Sequence, residues 1–435
     1  MSPWYRPTLG LIAVGACVVV TGCGVSPAVQ AAQDRAYDRL AKELAREKQT
    51  GELDDGEVRD VAQALADAEI AAAKGVEGEA TIARYSSCAD QVEDALEDRA
   101  DRGDDVAAAA GEVLLSSGLV DEDEYVDFIE DEDPRPAFRA LGARGLVDDD
   151  QFELRRKLFL DLDERVRQNA IKAAMSSSSP DDLAALAEAA RLDPYPSARG
   201  FAARALGRLG GKRAVRALTD LWLHADGRLR EAIVDAWVSP ASFEAGGREA
   251  LVRAAEEGGE GALAAAILLA RIAPINDAAS AAKDVGVARL EHAIESGTRA
   301  ERALAMLMSP TSKTVLAALR KSKDDSDPGL AAIALARLAR EGELIEQKTS
   351  RDALLALAQK DDPEAARALG ELAILGDQRA KALLEKQLKD ENAFARAFAG
   401  RALVTLGHAV ASAMLLADKE PSVRADVACA VLRKR

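Results

Sequence analysis

Apolar residues recur along most of this chain at intervals of three and four, the spacing of one helix face. Between Ser197 and Leu209 they are Ala198, Phe201, Ala202, Ala205, Leu206 and Leu209. Upstream, Leu183, Leu186 and Ala190 form a second stripe, opened by Ser179-Pro180-Asp181-Asp182. That opening places Ser at an N-cap, Pro at the first helical position and an acid at the third. Asp193-Pro194-Tyr195-Pro196 separates the two stripes, because a residue before proline is pushed out of the α region. Gly210-Gly211 ends the second helix, and a new amphipathic stretch runs from Lys212 to His224. The pattern predicts antiparallel helix pairs. Valines are scattered rather than alternating, so strands have little to build on.

The pair repeats. Asp133-Pro134-Arg135-Pro136-Ala137-Phe138-Arg139 returns as Asp193-Pro194-Tyr195-Pro196-Ser197-Ala198-Arg199, and more weakly at Asp161 to Arg167, Asp390 to Arg396 and Asp418 to Arg424. Each copy sets an acid six residues before an arginine, and Arg230 continues the series. Arginines 139, 167, 199 and 230 are 28, 32 and 31 residues apart, the period of a helical-repeat array. Helical stretches at 262–270, 300–307, 330–338 and 366–375 fill the gap before Arg396 in matching places. A second block, Gly118-Leu119-Val120-Asp121 through Tyr125, returns at Gly145-Leu146-Val147-Asp148 through Phe152.

The Asp-Pro-x-Pro turn, the following hydrophobic-Arg-x-x-Ala and the Ala205-Leu206-Gly207 and Ala140-Leu141-Gly142 triplets resemble HEAT repeats, notably the short bacterial type of phycobilisome lyases. The likeness is clearest over 133–237 and 390–435, loose between them, and weakest over 51–110, as an atypical capping repeat would be. It implies an all-α solenoid over 51–435, a curved superhelix of roughly eleven or twelve pairs at ~30 residues each. It also implies that turn aspartates and arginines hydrogen-bond along the stack. Asp133, Arg139, Asp161, Arg167, Asp193, Arg199, Arg230, Asp390, Arg396, Asp418 and Arg424 are accordingly expected as a structural ladder, not an anion-binding row.

The amino-terminal end changes the picture. Arg6 is followed by a short apolar run, Leu9 to Val20, too short to span a bilayer core that needs ~20 residues. Val20-Thr21-Gly22-Cys23 resembles the lipobox of bacterial lipoproteins, with Cys23 a better acceptor than Cys17. Residues 1–22 are thus expected to be a signal peptide, and 23–50 a tether or lone helix. Gly24 in place of an aspartate points, by the same resemblance, to the outer membrane facing the periplasm. Of the other cysteines, Cys88 and Cys429 lie near opposite ends, which a solenoid holds apart, so no bridge between them is expected.

Composition narrows the function. Hydrophobic residues make up 48%, charged ones 30% and aromatics 4%, a helix-favouring mixture. The net charge of −17 repels phosphate backbones, so nucleic acid is not an expected partner. The acid run Asp121–Asp133 has no glycine for a calcium loop, and suits helix capping at Asp121–Glu124 and Asp148–Gln151. Trp222 and Trp237 lie on apolar stripes and are expected in the core. Histidines 224, 292 and 408 are isolated. The His-Glu pairs of HEAT-like di-iron hydroxylases are missing, and the export signal does not suit a cytosolic pigment lyase. No catalytic, metal or cofactor motif appears. The expectation is a membrane-anchored, periplasm-facing scaffold for a protein or peptide. The alternatives are an enzyme or accessory subunit with a site in 240–350, or a purely structural envelope protein.

Overall fold

The computed structural model describes residues 25–434 apart from 105, 131, 178 and 361–363. The leader with Cys17 and Cys23 lies outside the described residues, as does Arg435. Among the described residues there are helices, turns and loops but no strand, and the fold is an all-α helical-repeat solenoid. None of these helices is long and apolar enough to cross a membrane.

The first helices are α1 (Pro27–Gln33), α2 (Tyr37–Thr50), α3 (Asp55–Ala72) and α4 (Gly75–Tyr85). Pairs follow as α5 (Glu93–Ala100) with α6 (Ala107–Ser117), α7 (Asp127–Glu130) with α8 (Pro136–Arg144), and α9 (Phe152–Leu158) with α10 (Glu164–Ser177). Next come α11 (Leu183–Leu192) with α12 (Pro196–Leu209), and α13 (Gly211–Trp222) with α14 (Gly227–Val238). A single turn, α15 (Pro240–Ser242), leads to α16 (Arg248–Glu257) and α17 (Ala262–Ala270). The chain continues through α18 (Asp277–Ser296) with α19 (Arg299–Met308), α20 (Lys313–Ser322) with α21 (Pro328–Glu341), and α22 (Leu344–Ala358) with α23 (Ala365–Ile374). It ends in α24 (Lys381–Gln387) with α25 (Ala393–Thr405), and α26 (Ala409–Ser412) with α27 (Pro421–Arg433).

Second helices stack on second helices: α8 on α10, α10 on α12, α12 on α14, and later α25 on α27. Alanines and glycines make this approach close. Gly207 of α12 sits where a Cβ would lie 2.5 Å from the backbone of Ala236 in α14. Gly210 ends α12 at φ 67°, a left-handed conformation that glycine adopts without a steric penalty. Trp222 and Trp237 are buried side by side, their rings 5.2 Å apart.

Two capping expectations need correction. Asp148 and Gln151 form a reciprocal capping box, whereas Asp121 makes no side-chain cap. Ser179 does not cap either, and Asp182 faces inward to a fully buried ion pair with Arg155 at 2.9 Å. Arg155 also donates to the Leu146 carbonyl and the Ser177 hydroxyl, which satisfies a charge that burial would otherwise penalise. Burial raises the Asp182 carboxyl above its ordinary range, against the opposing pull of Arg155.

The largest departure is that the stack closes on itself. α27 packs on α3 and α4, and the segment after α26 packs on α2. One apolar core holds Ala28 to Leu114 together with Ala397 to Leu432. Cys88 and Cys429, expected to stay apart, are joined by a disulfide with Cα atoms 5.2 Å apart. The argument from a straight stack fails because the curvature brings the ends together. Residues 27–50, expected as a tether or lone helix, are two helices packed on α3 and on the carboxy-terminal segment, with Leu40 and Leu44 fully buried.

Candidate functional site

The turns within the pairs gather on one rim, and the ladder marks it. Arg167 donates from Nη1 to the carbonyls of Asp161 and Leu162 in its own turn, at 2.7 and 3.2 Å. Its Nε donates to Asp193 of the following turn at 2.9 Å. Asp193 uses its other oxygen to accept the Tyr195 N–H. Arg396 repeats this with the carbonyls of Asp390 and Glu391 and the carboxylate of Asp418 at 2.7 Å. Arg139 reaches Asp161, and Arg199 reaches Asp226. The six-residue offset thus reflects a bond to the backbone of the arginine's own turn. The carboxylate partner sits one repeat further on.

Asp133 and Asp390 join this scheme through their carbonyls but not their carboxylates, and Arg230 falls outside it. Asp133 holds Arg135, two residues ahead; Asp390 accepts the Asn392 N–H; and Arg230 donates to the Glu260 carbonyl while lying over the Trp222 ring. Sequence reasoning missed the Arg299–Asp327 rung and the Glu69 partner of the expected Arg424. Arg299 pairs with Asp327, which also caps α21, and Arg424 closes the series on Glu69 at 2.7 Å. Glu69 accepts from both Tyr37 and Tyr85, and Arg424 lies 3.9 Å over the Tyr37 ring. Burial first, and the Glu69 charge next, push the Tyr37 phenol up to about 12. The Asp-to-Arg spacing could have flagged Arg299 only if the six-residue rule were relaxed.

On this same rim the turns carry exposed apolar side chains. Leu160 is 81% exposed, Leu162 100%, Leu192 60%, Tyr195 43% and Leu223 67%. Between the turns at 160–162 and 192–195 lies a groove of about 750 Å³, lined by Phe159, Leu160, Leu162, Leu192 and Tyr195. A neighbouring groove of about 700 Å³ lies between α11 and α13 and includes Leu221 and Leu223. The two share Glu188. Apolar residues this exposed, in consecutive repeats, form a row of the kind that marks interaction surfaces.

The chain enters on the opposite rim. The Ser26 hydroxyl bonds Glu57 at the start of α3, and Arg59 donates to the Lys434 carbonyl at the end of α27. The other ends of α3 and α27 meet at Glu69 and Arg424, on the ladder rim. In the middle of the chain, a cleft of about 560 Å³ includes Arg320, Glu346, Thr349 and Ser350. Its guanidinium is engaged by both Glu346 oxygens, at 2.8 and 3.0 Å. No group of three or more His, Cys, Asp or Glu that could hold a metal occurs among the described residues.

No protein-family model matches the sequence, and no curated protein matches it. Among solved structures, the crystal structure of Kap121p matches over 88% of this chain and 48% of its own, with 13% identity and a TM-score of 0.28. The chain therefore spans about half the length of that protein, and at this level the likeness carries no functional argument.

Proposed function

We propose that this protein is an envelope scaffold, held to the outer membrane by a lipid on Cys23, that binds a protein or peptide partner on its periplasm-facing ladder rim. The observation that carries this reading is the row of exposed apolar turn residues, Leu160, Leu162, Leu192, Tyr195 and Leu223, on one rim of the array. The described chain begins on the other rim, so an anchor at Cys23 would leave the grooves facing away from the membrane. The Cys88–Cys429 bridge suits an oxidising compartment, which agrees with an export signal.

The test is photocrosslinking in intact envelopes, with a photoreactive residue at position 162 and, as control, at position 59 on the opposite rim. One discrete adduct at 162, saturable and lost when Leu192 is changed to Glu, is expected. Adducts of equal yield at both positions, or none at 162, would count against a partner on this rim. Separately, Cys23→Ala should release the protein from membranes; full retention there would overturn the anchor.

A further inference from the structure

We infer that the occupant of the ladder-rim groove is a cationic amphipathic segment of a protein, with apolar side chains seated among Leu162, Leu192 and Tyr195. Its positive flank would lie along the repeats that precede the groove. The inference rests on the scaffold reading and specifies the chemistry of the partner.

The apolar half of the argument is the length of the row. Exposed leucines occupy three consecutive turns, ending at 160–162, 192 and 223. Packed helices stand about 8–10 Å apart, so three turns span about 20 Å. A helix of about 14 residues, rising about 1.5 Å per residue, has that length and can set one apolar stripe against it.

The charged half is an asymmetry within the chain. From Asp90 to Asp133 there are 18 acids against two bases, Arg99 and Arg102, so about a tenth of the sequence carries −16 of the net −17. Neither base is turned toward those acids as a group. Arg99 is buried and donates to the Ala73 carbonyl and to Asp104, and Arg102 donates to the Ala71 carbonyl. At the within-pair turns of this sector, on the ladder rim, Asp98, Asp101, Glu130 and Glu132 are exposed. The ladder joins this sector to the groove: Arg139, in the repeat headed by Asp133, reaches Asp161 on the groove wall. Inside the groove, Arg167 is held by Asp193 and Arg156 by Glu153, leaving Lys157 and Glu188 to offset each other. An anionic partner would meet self-repulsion along the acidic sector. A cationic one relieves it within the ~8 Å reach of charges at physiological salt.

Two probes, each a 14-residue leucine-striped helix extended by a flank of about ten residues that bears Lys in one and Glu in the other, test this by fluorescence anisotropy. They are titrated into the full chain in nanodiscs of zwitterionic lipid, with empty discs as reference. The Lys probe should bind at least tenfold more tightly, and the preference should shrink as salt rises. Leu162→Ser with Leu192→Ser should weaken the Lys probe about tenfold with no change in melting temperature. Asp98→Asn, Asp101→Asn and Glu130→Gln together should erode the preference for Lys over Glu. Lys-probe binding that survives the leucine changes would reduce the effect to charge adhesion and overturn the inference. Equal binding of both probes, or of neither, would overturn the cationic occupant, while the scaffold reading would still stand or fall on the crosslink at position 162.

Discussion

At the scale of single residues, a complete ladder arginine such as Arg167 or Arg396 does three things with one guanidinium. It ties off the carbonyls of its own turn, neutralises the aspartate of the next, and fixes the distance between two repeats. The cost of removing one depends on burial. The Arg167–Asp193 and Arg396–Asp418 pairs have side chains no more than 8% exposed, whereas Arg199 and Asp226 are 26% and 52% exposed. Stranding a buried carboxylate costs about 3–5 kcal/mol, and breaking a pair open to solvent costs about 0.2–1 kcal/mol. Arg167→Ala and Arg396→Ala should therefore lower the thermal midpoint clearly, and Arg199→Ala only slightly; equal losses would show that the ladder works through something other than desolvated charge. The same pairs set an acid limit. Burial pulls the Asp418 carboxyl upward, but its bond to Arg396, the Glu420 N–H and the nearby guanidinium charges outweigh burial and hold it below the usual value of 3.8. Its stabilisation is thus complete above about pH 4, where the unfolded carboxyl is also ionised, and is lost as pH falls through the lower folded value. Asp418→Asn should flatten the decline in melting temperature below pH 4 relative to the parent protein; an unchanged slope would contradict this assignment.

At the scale of elements, stacking is limited by how closely second helices approach, and two glycines of α12 separate packing from propensity. A Cβ at Gly207 would meet the Ala236 backbone at 2.5 Å, so Gly207→Ala forces the helices apart and should destabilise by about 1–3 kcal/mol. A Cβ at Gly200 would stand 3.6 Å from the Ala232 methyl, an ordinary contact, so Gly200→Ala should stabilise by about 0.5–1 kcal/mol through helix propensity. Chemical denaturation of both variants checks the pair of signs. Much at this scale was legible in the sequence, because the Asp-Pro-x-Pro turns, the stripes and the Ala-Leu-Gly triplets are local and periodic. The middle of the chain was harder to read for a physical reason. Every residue of α21 from Gly329 to Ala339 is buried, so it lacks a polar face to give it a period. Arg299 of α19 bridges past its start to Glu364, just before α23, and covers a face that would otherwise be open. The exposed leucines at 160, 162, 192 and 223 were also hidden, since a leucine beside a turn looks the same in sequence whether or not another element covers it.

At the scale of the whole molecule, closure replaces the capping that an open solenoid needs. End repeats normally turn a polar face outward. Here α27 instead packs on α3 and α4, and Val423, Val427 and Val431 are buried in the core that the two ends share. Nothing local encodes this, because the small rotation per repeat that brings residue 88 to residue 429 accumulates over the whole array. Glu69 and the two cysteines were its only marks in the sequence, and they read as unrelated. The seam has two kinds of bond, and they should fail separately. A disulfide mainly restricts the unfolded chain, typically contributing about 2–4 kcal/mol, whereas the apolar core and the Arg424–Glu69 pair hold the folded ends together. Cys88→Ser with Cys429→Ser should thus lower the melting temperature by several degrees but leave the radius of gyration in X-ray scattering unchanged. Adding Glu69→Ala strands Arg424 among Tyr37, Tyr85 and the core, and should open the seam. The expected signs are a larger radius, new protease cleavage before residue 55 and after residue 408, and self-association driven by the uncovered apolar core. If the cysteine variant alone already expands, the closed form depends on the covalent bond. The protein would then hold its ladder rim continuous only where that bond can form.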